Sequence, residues 1–180
     1  MGRDGGILAI TMRAGEARDI PAIAAIYGYH VLHGTASFEI EAPGEAEMER
    51  RWRDIVSKDL PYLVAEEDGK VVGYAYASMY RPRLAYRFTV EDSVYIRPDR
   101  MGNGIGSLLM PALIGACERR GYRQMIAVIG DSANEGSVRL HRRFGFRDVG
   151  VLRDVGFKFD RWLDTVFMQR ALQPAEDGTA

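Results

Sequence analysis

The chain has 180 residues, of which 47% are apolar and 27% charged, with a net charge of −1 at pH 7. This length suits one domain with a buried core, and the charge gives no basic footprint for nucleic acid. A single cysteine, Cys117, excludes an intrachain disulfide framework and favours a reducing compartment. Apolar runs fall short of the ~20 residues of a membrane span, and no signal-peptide pattern is visible. We therefore expect a cytoplasmic protein without a membrane partner.

The first part of the chain predicts a strand, two helices and a hairpin. ILAITMRAG has strand character, and apolar residues at helical spacing follow Asp19, a candidate N-cap. After a loop, EAEMERRWRDIVSKD predicts a charged helix with a narrow apolar stripe. Asp68 and Gly69 separate the apolar runs YLVAEED and KVVGYAYASMY, which is a strong hairpin signal.

The second part of the chain alternates strands and helices. A basic loop, RPRLAYR, leads into the strand FTVEDSVYI, and GIGSLLMPALIGACERRG predicts a helix that ends at Gly121. Pro111 inside that helix should remove one hydrogen bond and cause a kink. A strand RQMIAVIG, a short helix from Asn134 to Phe144 and two final strands complete the chain.

The predicted order β-α-α-β-β-β-α-β-α-β-β indicates an α/β (α+β) fold with a mixed, mostly antiparallel sheet flanked by helices. One βαβ unit lies at its centre, and the elements do not alternate evenly enough for a doubly wound sheet. We expect one domain over residues 9–172, a flexible extension at 1–8 and a disordered tail at 173–180.

The central βαβ unit contains a glycine-rich turn, MGNGIGS. Gly102, Gly104 and Gly106 can expose backbone N–H groups at the start of a helix, which suits a pyrophosphate. A Walker A loop does not fit, because no lysine follows, and a Rossmann fingerprint fits poorly with Ser107 at its third position. A dinucleotide site stays open because Asp131 ends the next strand, and so does a plain structural turn.

The loop before the central strand carries three arginines, Arg81, Arg83 and Arg87, interleaved with Tyr80 and Tyr86. Arginine side chains bind carboxylates and phosphates through two parallel hydrogen bonds. The loop is therefore either an anion-binding element or a solvated basic loop.

Two further segments carry candidate catalytic groups. Glu91 and Asp92 lie on opposite faces of the central strand, and a carboxylate there is a candidate general base or a surface residue. Asn134 is a candidate N-cap, and His141 lies two helical turns later on the same face, either in a site or packed. The histidines have no partners at metal-ligand spacing, so no metal site is expected.

These segments together carry a resemblance. SVYIRPDRMGNGIGSLL, followed by a strand and N-x6-H-x3-GF, resembles the GCN5-related N-acetyltransferase superfamily. More narrowly, RPRLAYRFTVEDSVYI, NEGSVRLHRRFGF and GFKFDRWLDTVFMQ are similar to the phosphinothricin and methionine sulfoximine acetyltransferases. The resemblance covers roughly Arg13 to Leu172.

The resemblance implies an acetyl-CoA-dependent N-acetyltransferase acting on the α-amine of a small amino acid or toxic analogue. It implies a homodimer and these cofactor contacts: Val94, Tyr95, Ile96, Arg100, Gly102, Asn103, Gly104, Ile105, Gly106, Ser107 and Asn134. The implied substrate contacts are Phe38, Arg81, Arg83, Tyr86, Glu91, Asp92 and Ser93. The implied catalytic residues are Glu91, His141 and Tyr95.

The chemistry of acetyl transfer gives these residues roles. An amine attacks only when neutral, so Glu91 is the expected base, and His141 or Tyr95 could protonate the leaving thiolate. Direct attack in a ternary complex is favoured over an acetyl-enzyme, because Cys117 lies on the wrong element. Other amines, a protein N-terminus, or a non-catalytic acyl-CoA-binding module remain alternatives.

One segment departs from the superfamily pattern. Met101 stands where a polar anchor of the glycine turn is expected, and Asn103 replaces a common basic residue. Fewer charges should therefore meet the pyrophosphate, and the affinity for acetyl-CoA should be weakened.

Overall fold

A computed structural model describes residues 10–173 of the chain. The predicted extension at 1–8 lies outside the described residues, as does the predicted tail apart from residue 173. The strands are β1 (Thr11–Ala14), β2 (Tyr62–Glu67), β3 (Lys70–Met79), β4 (Thr89–Ile96), β5 (Gln124–Gly130), β6 (Arg147–Lys158) and β7 (Arg161–Ala171). The helices are α1 (Ile20–His33), α2 (Glu45–Ser57), α3 (Ile105–Glu118) and α4 (Glu135–Arg143). This order confirms the predicted sequence of elements.

The described strands form one sheet in the order β1-β2-β3-β4-β5-β7-β6. β4 and β5 are parallel and connected through α3, whereas the other neighbouring strands are antiparallel. The predicted fold class, a mixed and mostly antiparallel sheet with one central βαβ unit, is confirmed.

The parallel pair separates after three residues. β4 and β5 are paired at Thr89–Glu91 and Gln124–Ile126 only, although β4 continues to Ile96 and β5 to Gly130. From Asp92 onward, the edge of β4 that faces β5 therefore lacks a partner strand. The sheet opens here into a V-shaped cleft between two strands that remain fixed on their outer sides by β3 and β7.

The side chains of β4 alternate between two helical layers, as a strand requires. On one face Tyr95 packs edge-on against Tyr27 of α1, with ring centroids 5.1 Å apart. On the other face Asp92 reaches His141 of α4. The predicted division of β4 into a Glu91 face and an Asp92 face is therefore present in the structure.

Two local predictions concern Asp19, at the start of α1, and Pro111, within α3. Asp19 stands at the N-cap of α1 but makes no capping bond to that helix. Its carboxylate instead accepts two hydrogen bonds from Arg13, both 2.7 Å, and one from the Glu16 N–H. α3 is continuous through Pro111, which is exposed, so its missing N–H lies on the solvent side. No helix within residues 10–173 is long and apolar enough to span a membrane.

Candidate active site

A groove of about 880 Å³ runs from the glycine turn to the cleft between β4 and β5. A smaller cavity of about 50 Å³ lies within the cleft, lined from both separating strands and from α4. Eight of the predicted cofactor residues line the groove, namely Val94, Tyr95, Ile96, Gly102, Gly104, Gly106, Ser107 and Asn134. The topology thus brings together segments up to 40 residues apart in sequence.

The glycine turn has the backbone that its sequence predicts. Gly102 and Gly104 have φ values of 80° and 81°, a region that disfavours residues with a Cβ, and Gly104 is the N-cap of α3. Gly106 has a different role, because a Cβ there would meet the Leu140 side chain of α4 at 3.1 Å. Its missing side chain therefore lets α3 and α4 approach each other.

The Glu91 carboxylate occupies the β4 face that packs toward α1. Burial raises the pKa of Glu91 above its ordinary value, the charge of Asp92 raises it further, and the charge of Arg81 lowers it. None of these influences is a hydrogen bond to the carboxylate. A half-buried carboxylate with a raised pKa and no hydrogen-bond donor among residues 10–173 suits a general base.

The Asp92 carboxylate serves the opposite face. Its Oδ2 lies 2.9 Å from His141 Nε2, and the two side chains are only 1% and 6% exposed. His141 Nδ1 lies 2.7 Å from the Ser137 carbonyl oxygen one turn earlier. Burial opposes the imidazolium, but the Asp92 carboxylate outweighs it, so the pKa of His141 is raised.

The arginine loop lies close to Glu91. Its tyrosines, Tyr80 and Tyr86, meet edge to face at 5.7 Å, and the Arg81 guanidinium lies 4.8 Å from the Tyr80 ring. The positive charge of Arg81 is also the one that lowers the pKa of Glu91. Arg83 is exposed beside the short 3₁₀ turn Leu84–Tyr86. The loop thus presents cations and aromatic faces next to the candidate base.

The loop between α1 and α2 brings Phe38 over the far end of β5. A Cβ on Gly156 of β6 would lie 2.3 Å from the Phe38 ring, and one on Gly130 would lie 2.9 Å from it. Only glycines allow this contact. Lys158 holds the loop from below, since its buried ammonium donates to the Ser37 carbonyl oxygen at 2.7 Å.

The chain also matches a known protein family. The Acetyltransferase (GNAT) family profile matches residues 28–146. The chain belongs to the GNAT acetyltransferase family. The phosphinothricin N-acetyltransferase of Alcaligenes faecalis is 55% identical over 93% of this chain and 85% of its own. The L-methionine sulfoximine/L-methionine sulfone acetyltransferase of Pseudomonas paraeruginosa PA7 is 40% identical over 93% and 97%.

Solved structures agree with this assignment. A GNAT phosphinothricin acetyltransferase from Sinorhizobium meliloti, in complex with AcCoA, has a TM-score of 0.88 and 49% identity over 91% of this chain and 88% of that one. The family, the fold class and the predicted resemblance to phosphinothricin and methionine sulfoximine acetyltransferases are confirmed.

The GNAT assignment also settles the alternatives for the glycine turn. A dinucleotide site would use Asp131 as a free carboxylate, but its oxygens accept from Arg161 at 2.7 Å and the Ala133 N–H at 3.0 Å. Within the described residues no group of three His, Cys, Asp or Glu side chains is arranged to hold a metal. Cys117 is buried, and burial raises the pKa of its thiol to about 12, as expected for a packed cysteine.

Three predicted cofactor residues are placed away from the groove lining. Arg100 is paired with Glu67 of the β2–β3 hairpin. Ile105 is 2% exposed and packs in the core, where its methyl group lies against Gly73. Asn103 is exposed in the turn. The cofactor roles of these residues stay predictions, and for Arg100 and Ile105 the structure provides other roles.

Two residues of the groove, Arg143 and His30, were not predicted from the sequence. Arg143 of α4 lines the groove and donates to the Ser107 hydroxyl at 3.3 Å, next to the turn that lacks a basic anchor at Met101. His30 Nε2 lies 2.7 Å from the Ile96 carbonyl oxygen, on the strand edge assigned to the cofactor. The basic residues Arg142 and Arg143 in the run HRR after Leu140 contained a signal for Arg143, whereas His30 meets Ile96 only through the tertiary fold.

Proposed function

We propose that this GNAT protein transfers the acetyl group of acetyl-CoA to the α-amine of a small amino acid or toxic analogue, of the phosphinothricin or methionine sulfoximine type. The observation that carries the proposal is the position of Glu91, which combines a raised pKa with the nearby arginine loop at the mouth of the β4–β5 cleft. The names of the similar enzymes support the same substrate class.

The described residues fit acetyl-CoA. Positive-φ glycines at 102 and 104, followed by the N-terminus of α3, form a backbone cradle suited to a pyrophosphate. The unpaired edge of β4 at Val94 and Ile96 offers backbone groups to the pantetheine amides, whereas those of Tyr95 point to Tyr74 of β3. Asn134 lines both the groove and the small cavity in the cleft. When bound, acetyl-CoA supplies the activated acetyl group as a thioester.

Glu91 serves as the base in this proposal. The α-ammonium of an amino acid has no lone pair, so a proton must leave before the nitrogen can attack. The carboxylate of Glu91 accepts that proton, directly or through a water, and this contributes about 10²–10⁴-fold to the rate. A raised pKa makes the carboxylate a stronger base than an ordinary glutamate.

Two groups can protonate the departing thiolate. Tyr95 and His141 both line the small cavity in the cleft. Burial raises the pKa of Tyr95 well above 10, so its hydroxyl holds a proton at neutral pH, and Asp92 raises the pKa of His141. The amine attacks the thioester directly in a ternary complex, because Cys117, the single thiol, is buried and protonated.

The substrate's anionic end meets the arginine loop. Arg81 and Arg83 suit the carboxylate of an amino acid and the phosphinate or sulfoximine group of an analogue. Tyr86 and Phe38 supply apolar walls for the short side chain. Ser93, opposite Tyr76 in the β3–β4 register, lies on the same strand face as Glu91.

A CoA-thiol release assay across a panel of amines tests the proposal. We expect turnover with phosphinothricin, methionine sulfoximine or free amino acids, and little with peptides or polyamines. A preference for peptides would favour a protein N-terminus as acceptor. Absence of thiol release with every amine, together with tight CoA binding, would favour a non-catalytic acyl-CoA-binding module.

We also infer a homodimer that forms through the β6–β7 hairpin. β6 is an edge strand, and its apolar side chains are exposed on both faces, which is uncommon for a soluble monomer. They include Val149, Val151, Leu152, Val155 and Phe157, with Trp162 beside them on β7. Sedimentation should give twice the monomer mass, and Val155→Lys should halve it while Val128→Lys on β5 should not. A monomeric wild-type protein would contradict this inference.

A cytoplasmic location is part of the proposal, because acetyl-CoA is an intracellular metabolite and the single cysteine fits a reducing compartment.

A further inference from the structure

The ring nitrogens of His141 both face acceptors. Nδ1 lies 2.7 Å from the Ser137 carbonyl oxygen, which cannot donate, so Nδ1 carries a proton. Nε2 lies 2.9 Å from Asp92 Oδ2, and a carboxylate is also an acceptor, so Nε2 carries the second proton. The geometry describes an imidazolium that is held by a buried carboxylate.

The surroundings of the pair support this charge state. Besides Asp92 and Ser137, the ring of His141 meets the edge of Phe146 at 4.9 Å, which is an uncharged neighbour. The titratable group that approaches Asp92 from α3 is the Cys117 thiol, whose pKa of about 12 keeps it neutral. Glu91, next along β4, lies on the opposite face of the strand, so Asp92 is the carboxylate that faces the ring. The local charges therefore favour a protonated ring.

The Asp92–His141 pair also connects β4 to α4 beside the cleft. Asp92 is the first residue of β4 without a β5 partner, and His141 lies on α4, whose N-cap is the groove residue Asn134. The second carboxylate oxygen, Asp92 Oδ1, is buried and has no hydrogen-bond partner within the described residues. An isolated carboxylate would not be retained at such a site, so the imidazolium is what compensates it.

We infer that Asp92 is a positioning residue, which keeps the His141 ring doubly protonated and fixes α4 against β4 where the sheet opens. The resemblance places Asp92 among the substrate contacts, a role that stays a prediction, and its carboxylate lies on the face opposite Glu91. The inference rests on the proposed function only where it gives the charge of the imidazolium a use in stabilising the departing thiolate.

Nitrogen-15 NMR of the imidazole rings tests the inference on the free enzyme. The chain has three histidines, and His30→Gln, His33→Gln and His141→Gln assign their signals. We expect His141 to carry two ring protons at pH 7 in the wild type. In Asp92→Asn it should lose the second proton about 1–3 pH units lower, as for a charge within 4–6 Å.

Asp148→Asn is the matched control. Asp148 also pairs with α4, through Arg142 at 2.8 Å, but that ion pair is exposed. Its removal should leave the His141 titration unchanged. A second readout is the kinetic split: Asp92→Asn should lower kcat more than it raises KM for the amine, whereas loss of a substrate ligand would mainly raise KM.

Two outcomes overturn the inference. One is a neutral His141 at pH 7 in the wild type, a result that does not depend on whether Asp92→Asn folds. The other is an unchanged His141 titration in Asp92→Asn. Both are independent of the amine panel, so failure of this inference is distinguishable from failure of the proposed function.

Discussion

Glu91 and Asp92 are adjacent in sequence but serve opposite faces of β4. The charge of Arg81 in the arginine loop lowers the pKa of Glu91. Asp92 Oδ2, in contrast, lies 2.9 Å from His141 Nε2 of α4. The alternation of a strand thus separates two carboxylates that a sequence alignment would treat as one acidic pair. Glu91 has no hydrogen-bonded partner in the part of the chain that the structure describes and suits a base, whereas Asp92 is paired with the buried His141 ring.

Glu91→Gln should lower kcat/KM about 10²–10⁴-fold, because the amine loses its proton acceptor. The shape of the side chain is preserved, so CoA affinity measured by calorimetry should stay within about twofold. The stability should also become less dependent on pH. The raised pKa means that the folded state binds the Glu91 proton more tightly, so this group's contribution to stability falls as pH rises from the unfolded value through the folded value. Full activity in Glu91→Gln would reject Glu91 as the base.

The acid limb of the pH profile of kcat/KM should report Glu91. Since Arg81 lowers the pKa of Glu91, Arg81→Met should move this limb to higher pH. Arg83→Met, which removes a charge from the same loop, should raise KM without moving the limb. Identical limbs in the wild type and Arg81→Met would show that another group controls the profile.

Arg143→Met should weaken CoA binding about 5–20-fold, the range expected when one charge-assisted hydrogen bond to a phosphate is lost. Arg142→Met is the control, because Arg142 is paired with Asp148 on the surface and should change affinity less than about twofold. Titration with CoA and dephospho-CoA identifies which phosphate is involved.

Met101→Arg in the Arg143→Met background should recover part of the lost affinity for CoA. The new arginine places a cation in the glycine turn that precedes α3. Equal CoA affinity in the wild type and Arg143→Met would contradict this role for α4.

Gly156→Ala should raise KM for the amine about fivefold or more, because the new Cβ would lie 2.3 Å from the Phe38 ring and would displace it. Gly150→Ala on the same strand has no atom within 4 Å of its new Cβ and should leave KM unchanged. Initial rates at saturating acetyl-CoA separate the two variants. Unchanged KM in Gly156→Ala would place Phe38 outside the amine pocket.

Lys158→Met should also raise KM for the amine about fivefold, since it removes the hydrogen bond that anchors the Phe38 loop at Ser37. The exposed Lys70→Met, in the β2–β3 hairpin, is the control. Susceptibility of the loop to proteolysis should rise in Lys158→Met alone. Retention of both KM and protease resistance would show that the loop does not depend on this bond.

Much of the fold follows from local patterns. Asp68 and Gly69, with φ values of 50° and 72°, form the predicted hairpin turn. The helix α3 ends at Glu118, three residues before the predicted Gly121, whose φ of 79° belongs to the turn that follows. Gly102 and Gly104 adopt the left-handed backbone that their spacing suggests. These features depend on few neighbouring residues, so the sequence contains their signals.

The missed features depend on contacts across the fold. Arg13 binds the Asp19 carboxylate, which therefore makes no N-cap bond to α1. Glu67 of the β2–β3 hairpin binds Arg100, which was predicted to contact the cofactor. The pairing of Asp92 with His141 spans 49 residues and exists only in the tertiary fold. Strand alternation predicted the face of Asp92, but no local pattern identifies the partner that it meets there.

The three-residue contact between β4 and β5 leaves the sheet of the free protein incomplete. A ligand that supplies hydrogen bonds to the exposed edge of β4 acts as the missing strand, so its binding energy adds to the folding energy. At a concentration one hundred times its Kd, such a ligand raises the free energy of unfolding by about 2.7 kcal/mol. The amide hydrogens of Val94 and Ile96, which face the open edge, should then exchange more slowly. The persistence of the folded chain in a cell is thereby linked to the supply of acetyl-CoA.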